Sequence, residues 1–426
     1  MIKLLTDAKN RNFLRLWLAQ LISQFGDRIH QLALVGLITE RAAGSTMDLA
    51  KLMSFTILPV FIIQPFAGVF IDRWDRKNIL FVCDMVRGLL VLFIPLIFIR
   101  WEAILPIYVI VFLAFSFSRF YVPAKMSIIP DIVKEEQLIS ANSLVTTTGM
   151  IASVLGLGVG GLLIEKWGAK NGFIIDAVTF FVSGAMIFTI VVPKKIKLSK
   201  NAFLEKSKEL VKEIKTTFWQ EFAEGLRYLF RQKEIRLIVN MFFILLFAVG
   251  SIYVVSIVFI QEVFGSKTMH LGSVAVSLCL GLFLGVVLYG RWGKKEHWEK
   301  AIFSCLCAGG AVMAVFAIAV YHYPVIWIAM FLALLLGMIV GPIFIASYSM
   351  VHIICDEDMR GKTFSALEIV IHFAFLAAML VSSWVSEFIP RVMVLIVAGL
   401  MVMVTGLIGL LKSWHNGFAV DDKRMA

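Results

Sequence analysis

Gly68-Val69-Phe70-Ile71-Asp72-Arg73-Trp74-Asp75-Arg76-Lys77 lies between two apolar runs, 49–71 and 79–99, and its ending returns later in the chain. Gly290-Arg291-Trp292-Gly293-Lys294-Lys295, between the runs 270–290 and 300–320, repeats the order Arg-Trp-x-basic-Lys. Each copy follows the second apolar run of a set of six. Working outward, further runs of about 20 residues or more fall at 13–38, 104–122, 139–164, 172–192, 236–262, 325–352, 363–386 and 390–411. Each is long enough to cross a hydrocarbon core of ~30 Å as a helix. Lipid offers no partners to backbone N–H and C=O groups, so such runs must satisfy their own hydrogen bonds. The expected fold class is an all-α membrane protein, with twelve transmembrane helices in two pseudo-symmetric six-helix bundles. The expected divisions are an N-terminal bundle over 1–192, a cytoplasmic linker over 193–235, a C-terminal bundle over 236–412 and a cytoplasmic tail over 413–426. Internal repeats of this kind are a transporter feature, with the substrate site between them near the membrane midplane.

Composition agrees. The 426 residues are 60% hydrophobic and 16% charged, and a mean hydropathy of +0.89 excludes a soluble domain. Lys3, Lys9, Arg11 and Arg15 open the chain, but no short apolar segment with a small-residue cleavage site follows, so the first run reads as an uncleaved helix. The net charge of +11 follows topology. Of 40 Lys and Arg, 30 fall in the termini, the linker and alternate loops, 7 fall in the opposite loops, and Arg28, Arg87 and Arg119 lie within runs. That split places both termini in the cytoplasm and explains the charge without nucleic acid. Phe218, Phe222, Leu226 and Leu229 recur at helical spacing among the linker's charges, as in an amphipathic surface helix. The five Cys match no metal or redox motif, and neither a metal nor a cofactor is expected.

An ionisable side chain at mid-membrane costs at least ~2.5–3.5 kcal/mol, so each one needs a reason. Gln20, Gln24, Asp27 and Gln31 share one face of the first helix, with His30 close to Asp27. Asp27 is the candidate for proton coupling or cation recognition, or else a structural partner of Arg28, Arg87 or Arg119. Glu368 and His372 share a face of the eleventh helix, where a His suits a proton relay. Asp84 and Arg119 both count to ~10 Å from the cytoplasmic face, so an ion pair between them is geometrically allowed, with a gating or structural role. Asp176, Glu165 and Glu262 are expected at solvated outer helix ends, and Trp101, Trp167 and Trp384 at the interface. Gly281-x-x-x-Gly285 and Gly337-x-x-x-Gly341-Pro342 suggest close helix contacts.

Gly68-x-x-x-Asp72-Arg73-x-x-Arg76-Lys77 resembles the loop motif of the major facilitator superfamily, and the second copy resembles its usual degenerate repeat. Three stretches are similar to the drug- and siderophore-exporting branch, of the macrolide-efflux and enterobactin-exporter kind. They are Leu16 to Asp27, Pro123 to Val133 continuing to Leu144, and Glu224 to Leu229 together with Arg360-Gly361-Lys362. Some of the same features are similar to the bacterial lysophospholipid flippase. Where exporters often carry Gly-Pro-x-x-Gly-Gly in the fifth helix, this chain has Leu157 in Gly156 to Gly161. The resemblance implies that Asp72, Arg73 and Arg76 brace a cytoplasmic gate.

The function expected is alternating-access transport, with proton-coupled efflux of an amphipathic small molecule foremost. Lipid flipping by the same fold and a non-transporting receptor or scaffold are the alternatives. No hydrolase, metalloprotease or nucleotide-binding motif is present, so no catalytic residue is expected. The expected partners are a small amphipathic solute or lipid, protons and the bilayer. The expected setting is a monomer in a bacterial inner (plasma) membrane.

Overall fold

The computed structural model describes residues 10–64, 66–67, 71, 74–100, 104–192, 223–224, 226–228, 231, 233–265, 267–292, 298–354 and 357–416. These residues are helical almost throughout, with no strand among them. In chain order the long helices begin with α1 (Arg11–Arg41), α2 (Thr46–Ile62), α3 (Arg76–Arg100) and α4 (Leu105–Ile132). Leu138–Phe188 is helical except at Gly168, whose φ of 81° and ψ of 162° divide it into α5 (138–167) and α6 (169–188). There follow α7 (Lys233–Phe264), α8 (Thr268–Trp292), α9 (Trp298–His322), α10 (Ile326–Ile354), α11 (Glu357–Val385) and α12 (Arg391–Asn416). Most of the linker, including Phe218, Phe222 and Leu229, lies outside the described residues.

Two boundaries differ from expectation in ways that matter. α4 does not end near 122 but runs to Ile132, with Pro123 and Pro130 inside it. Each proline removes a backbone hydrogen bond. The buried Ala124, Ile128 and Ile129 hold this segment helical through packing instead. Lys125, counted above as a loop residue, is therefore an intramembrane residue of α4. Arg119 also lies deeper, ~20 Å of helix from the Ile132 end.

The second difference is the Gly168 turn. Gly149, Gly156 and Gly160 of α5 face Gln24, Arg28 and Ile29 of α1 in that order, so α5 runs alongside α1. Gly172 of α6 then faces Ala33, while Thr179 faces Gly26, so α6 runs back. The two form a hairpin closed at a positive φ that a side chain rarely tolerates. That reversal brings Asp176 a full two turns into the membrane. It is completely buried, not at a solvated end.

By contacts the chain divides into two compact units, one of Met1–Leu37 with Leu52–Trp219 and the other of Ile38–Lys51 with Gln220–Ala426. In the first, Phe13, Leu16, Leu80, Ile128, Ile129 and Ile187 belong to one fully buried cluster. In the second, Phe242, Leu245, Ile302, Leu306 and Leu367 do the same. Gly281 and Gly285 of α8 meet the backbone of Leu334 and Met338 in α10, and Gly337 and Gly341 return the contact onto α8. Also in this unit, Arg391 bonds the Gly44 carbonyl and Glu262, and reaches Thr46 Oγ1 at 3.0 Å.

The outward faces are apolar. Leu89, Phe93 and Leu96 form an exposed stripe on α3. On α12, Met393, Val397, Leu400, Val404, Leu407 and Leu411 form another. A soluble monomer rarely exposes such surface. Nine described stretches are long and apolar enough to cross a membrane. α1 is not among them, although its 31 residues are ample, because its polar face lowers its hydropathy.

Candidate functional site

In the first unit, α1, α3 and α6 place their polar residues against one another. Arg87 of α3 forms an ion pair with Asp27 of α1, and its guanidinium also lies 3.8 Å from Asp84 Oδ1. Ser183 of α6 donates a hydrogen bond of 2.6 Å to the other Asp84 oxygen. The Arg87 guanidinium rests 4.0 Å from the centroid of the Phe180 ring, a cation–π contact that partly replaces lost hydration. Arg87 takes the place expected for Arg119, because one helical turn carries it from Asp84 while α4 holds Arg119 deeper. The Arg87 and Asp84 side chains are almost fully buried, and about a third of the Asp27 side chain is exposed.

A second buried pair lies beside this one. His30 Nδ1 is 3.0 Å from Asp176 Oδ2, close enough for an ion pair but out of line for a hydrogen bond. The imidazole packs against Phe115 and Phe173, at centroid distances of 6.0 and 5.3 Å. Thr179 donates to the Asp176 backbone carbonyl at 2.7 Å. Asp176, Thr179 and Ser183 recur at i, i+3 and i+7, a polar stripe that the helical period of α6 could have revealed.

The polar face of α1 also borders a cavity of about 440 Å³. Gln20, Gln24, Asp27 and Arg28 line it from α1, and Lys125 and Met126 from α4. Val145, Thr146, Gly149, Met150 and Ser153 complete it from α5. Arg28 is engaged, donating to Ser153 Oγ and to Gln31 Oε1 at 3.0 Å each. Seven of the eleven lining residues are polar or charged, and the apolar ones are Met126, Val145, Gly149 and Met150, a mixed lining in a volume that suits a small-molecule site.

Residues 16–374 match the Major Facilitator Superfamily. The chain belongs to that superfamily. Among this transporter's relatives, YkuC, an MFS-type transporter of Bacillus subtilis, is 27% identical over 361 residues, 83% of this chain and 80% of that one. Macrolide efflux protein A of Streptococcus pyogenes is 23% identical over 67% of each chain. The putative bacilysin exporter BacE of Bacillus subtilis is 24% identical over 80% of each. In fold, a bacterial homologue of the iron transporter ferroportin, crystallised in an inward-facing state, matches with a TM-score of 0.71 at 14% identity, covering 94% of this chain and 98% of that one.

The superfamily loop is only partly in view in this transporter. Gly68, Asp72 and Arg73 lie outside the described residues. Arg76 donates 2.5 Å to Asp131 Oδ2 and 2.9 Å to the Ser127 carbonyl, tying the start of α3 to the end of α4. Asp131 as its partner was not foreseen, although it stands within the Pro123 to Val133 stretch. Lys77 lies over the Phe188 ring at 5.3 Å. In the second unit His372 Nδ1 is 2.7 Å from the Glu368 carbonyl and 3.4 Å from its carboxylate, and both side chains are about a third exposed. Glu262 pairs with Arg391 near the end of α7 and stays about half exposed, as a solvated helix end requires.

Proposed function

We propose that this superfamily transporter is a proton-coupled exporter of an amphipathic small molecule, working by alternating access from a bacterial inner membrane with both termini cytoplasmic. The observation that carries this is the buried cluster in which two carboxylates, Asp27 and Asp84, face the single guanidinium of Arg87. One negative charge is left over, and in a low-dielectric interior a proton can cancel it. His30 and Asp176 provide a second place for a proton. Asp27 belongs both to this cluster and to the wall of the cavity, so protonation and solute occupancy meet at one carboxylate. Arg76 and Asp131, with the Asp72 loop, form the cytoplasmic brace in this scheme, and Glu368 with His372 is a candidate relay in the second unit. Relatives named as a macrolide efflux protein and a bacilysin exporter support the outward direction.

The test is solute movement in proteoliposomes under an imposed pH gradient, comparing wild type with Asp27→Asn. Gradient-driven uptake into inverted vesicles, abolished in the variant, is expected. Equal movement with and without the gradient contradicts proton coupling, and lipid movement that ignores the gradient favours a flippase.

A further inference from the structure

Of the cavity's charged groups, Asp27 is bonded to Arg87 and Arg28 to Ser153 and Gln31. Lys125 differs. It is only 8% exposed, it lines the cavity, and its ammonium makes no hydrogen bond or ion pair with any described residue. The Asp27 carboxylate on the same cavity acts on it only electrostatically, without a hydrogen bond, so the ammonium is costly to bury and folding alone does not favour keeping it. On the same cavity wall Gln20 is 3% exposed, and its Oε1 receives no donor from any described residue. A cation without a hydrogen bond and a glutamine with an unsatisfied acceptor therefore line the same cavity, together with the apolar Met126, Val145 and Met150.

We infer that the cavity takes an amphipathic solute carrying a carboxylate- or phosphate-type anionic group, bound by the Lys125 ammonium, with an adjacent N–H or O–H donated to Gln20. The solute's apolar body lies against the methionines. The inference rests on reading this cavity as the solute pathway and adds the chemical class of the solute.

Free solutes and lipid headgroups both offer this chemistry, so two matched probe pairs are needed. Purified transporter in phosphatidylcholine nanodiscs is titrated with N-acetyl-Leu-Leu and with N-acetyl-Leu-Leu amide. It is titrated likewise with lysophosphatidylethanolamine and with monooleoylglycerol. Binding is read from the thermal unfolding midpoint, without any pH gradient, so a failure of proton coupling leaves the result unaffected. The acid of at least one pair is expected to bind wild type about tenfold or more tightly than its uncharged counterpart, and which pair discriminates identifies the source. Lys125→Met should erase the preference and Lys125→Arg should keep most of it. A wild type indifferent to the acid in both pairs overturns the inference, whatever the variants do. So does a preference that survives in Lys125→Met.

Discussion

Arg87 makes the strongest test of the buried cluster, because among the described residues it is the one cation in contact with both Asp27 and Asp84. Removing one partner of a buried ion pair leaves a bare charge, typically at a cost of 3–5 kcal/mol. Arg87→Met should therefore destabilise the protein by about 3 kcal/mol or more, measured by unfolding of the purified protein in detergent. Adding Asp84→Asn to that variant should recover part of the loss, since the Ser183 hydrogen bond can persist while the bare charge is gone. Strictly additive losses would show that the two residues do not share a network. At this scale much was legible in the sequence. Gln20, Gln24 and Asp27 line one cavity wall, as the spacing of four and three along α1 requires. Arg87 was one of three partners the sequence allowed Asp27, whereas for Asp84 it suggested Arg119, because helix depth estimates each residue's level but not which way it faces across the bundle.

Among the elements, close glycine contacts decide which helices can touch. A Cβ on Gly281 would run into the Leu334 carbonyl, and backbone cannot move aside as a flexible side chain can. Gly281→Val should thus cost 1–3 kcal/mol or more through overpacking of α8 on α10. Gly290→Ala, on the same helix with open space at the site, should be neutral or slightly stabilising. The comparison is made from unfolding midpoints of the two variants, and equal effects would refute the packing argument. The Gly-x-x-x-Gly spacing signalled this contact in advance. Two other features of the elements were hidden. Pro123 reads locally as the end of α4, yet burial of Ala124, Ile128 and Ile129 overrides it, and only then does Lys125 become an intramembrane cation. Asp176 reads as a helix end because the turn at Gly168 is so short that the following helix begins at once.

For the whole molecule, the exposed apolar stripes of α3 and α12 identify lipid as the surrounding solvent. We propose the orientation from the basic residues: with Lys125 set aside as part of α4, 29 are assigned to one side and 7 to the other, which puts both termini in the cytoplasm. A fluorescent protein fused after Ala426 should fold and fluoresce, and alkaline phosphatase at the same place should be inactive. The reverse result would place the tail outside and invert the direction assigned to transport. The chain's length and repeats made the fold readable from sequence alone, since helices in lipid must be long, apolar and self-satisfied. The charge pairings that give the proposed pump its proton site depend on three helices meeting, and no single helix announces them.

The most direct measurement is the current evoked by a pH jump across transporter reconstituted on a solid-supported membrane, with no solute added. Wild type should show a transient inward proton displacement that Asp27→Asn diminishes and that Asp27→Asn with Asp84→Asn and Asp176→Asn abolishes. The same current from wild type and the triple variant would mean that these buried acids take up no protons, and the coupling mechanism would have to be abandoned.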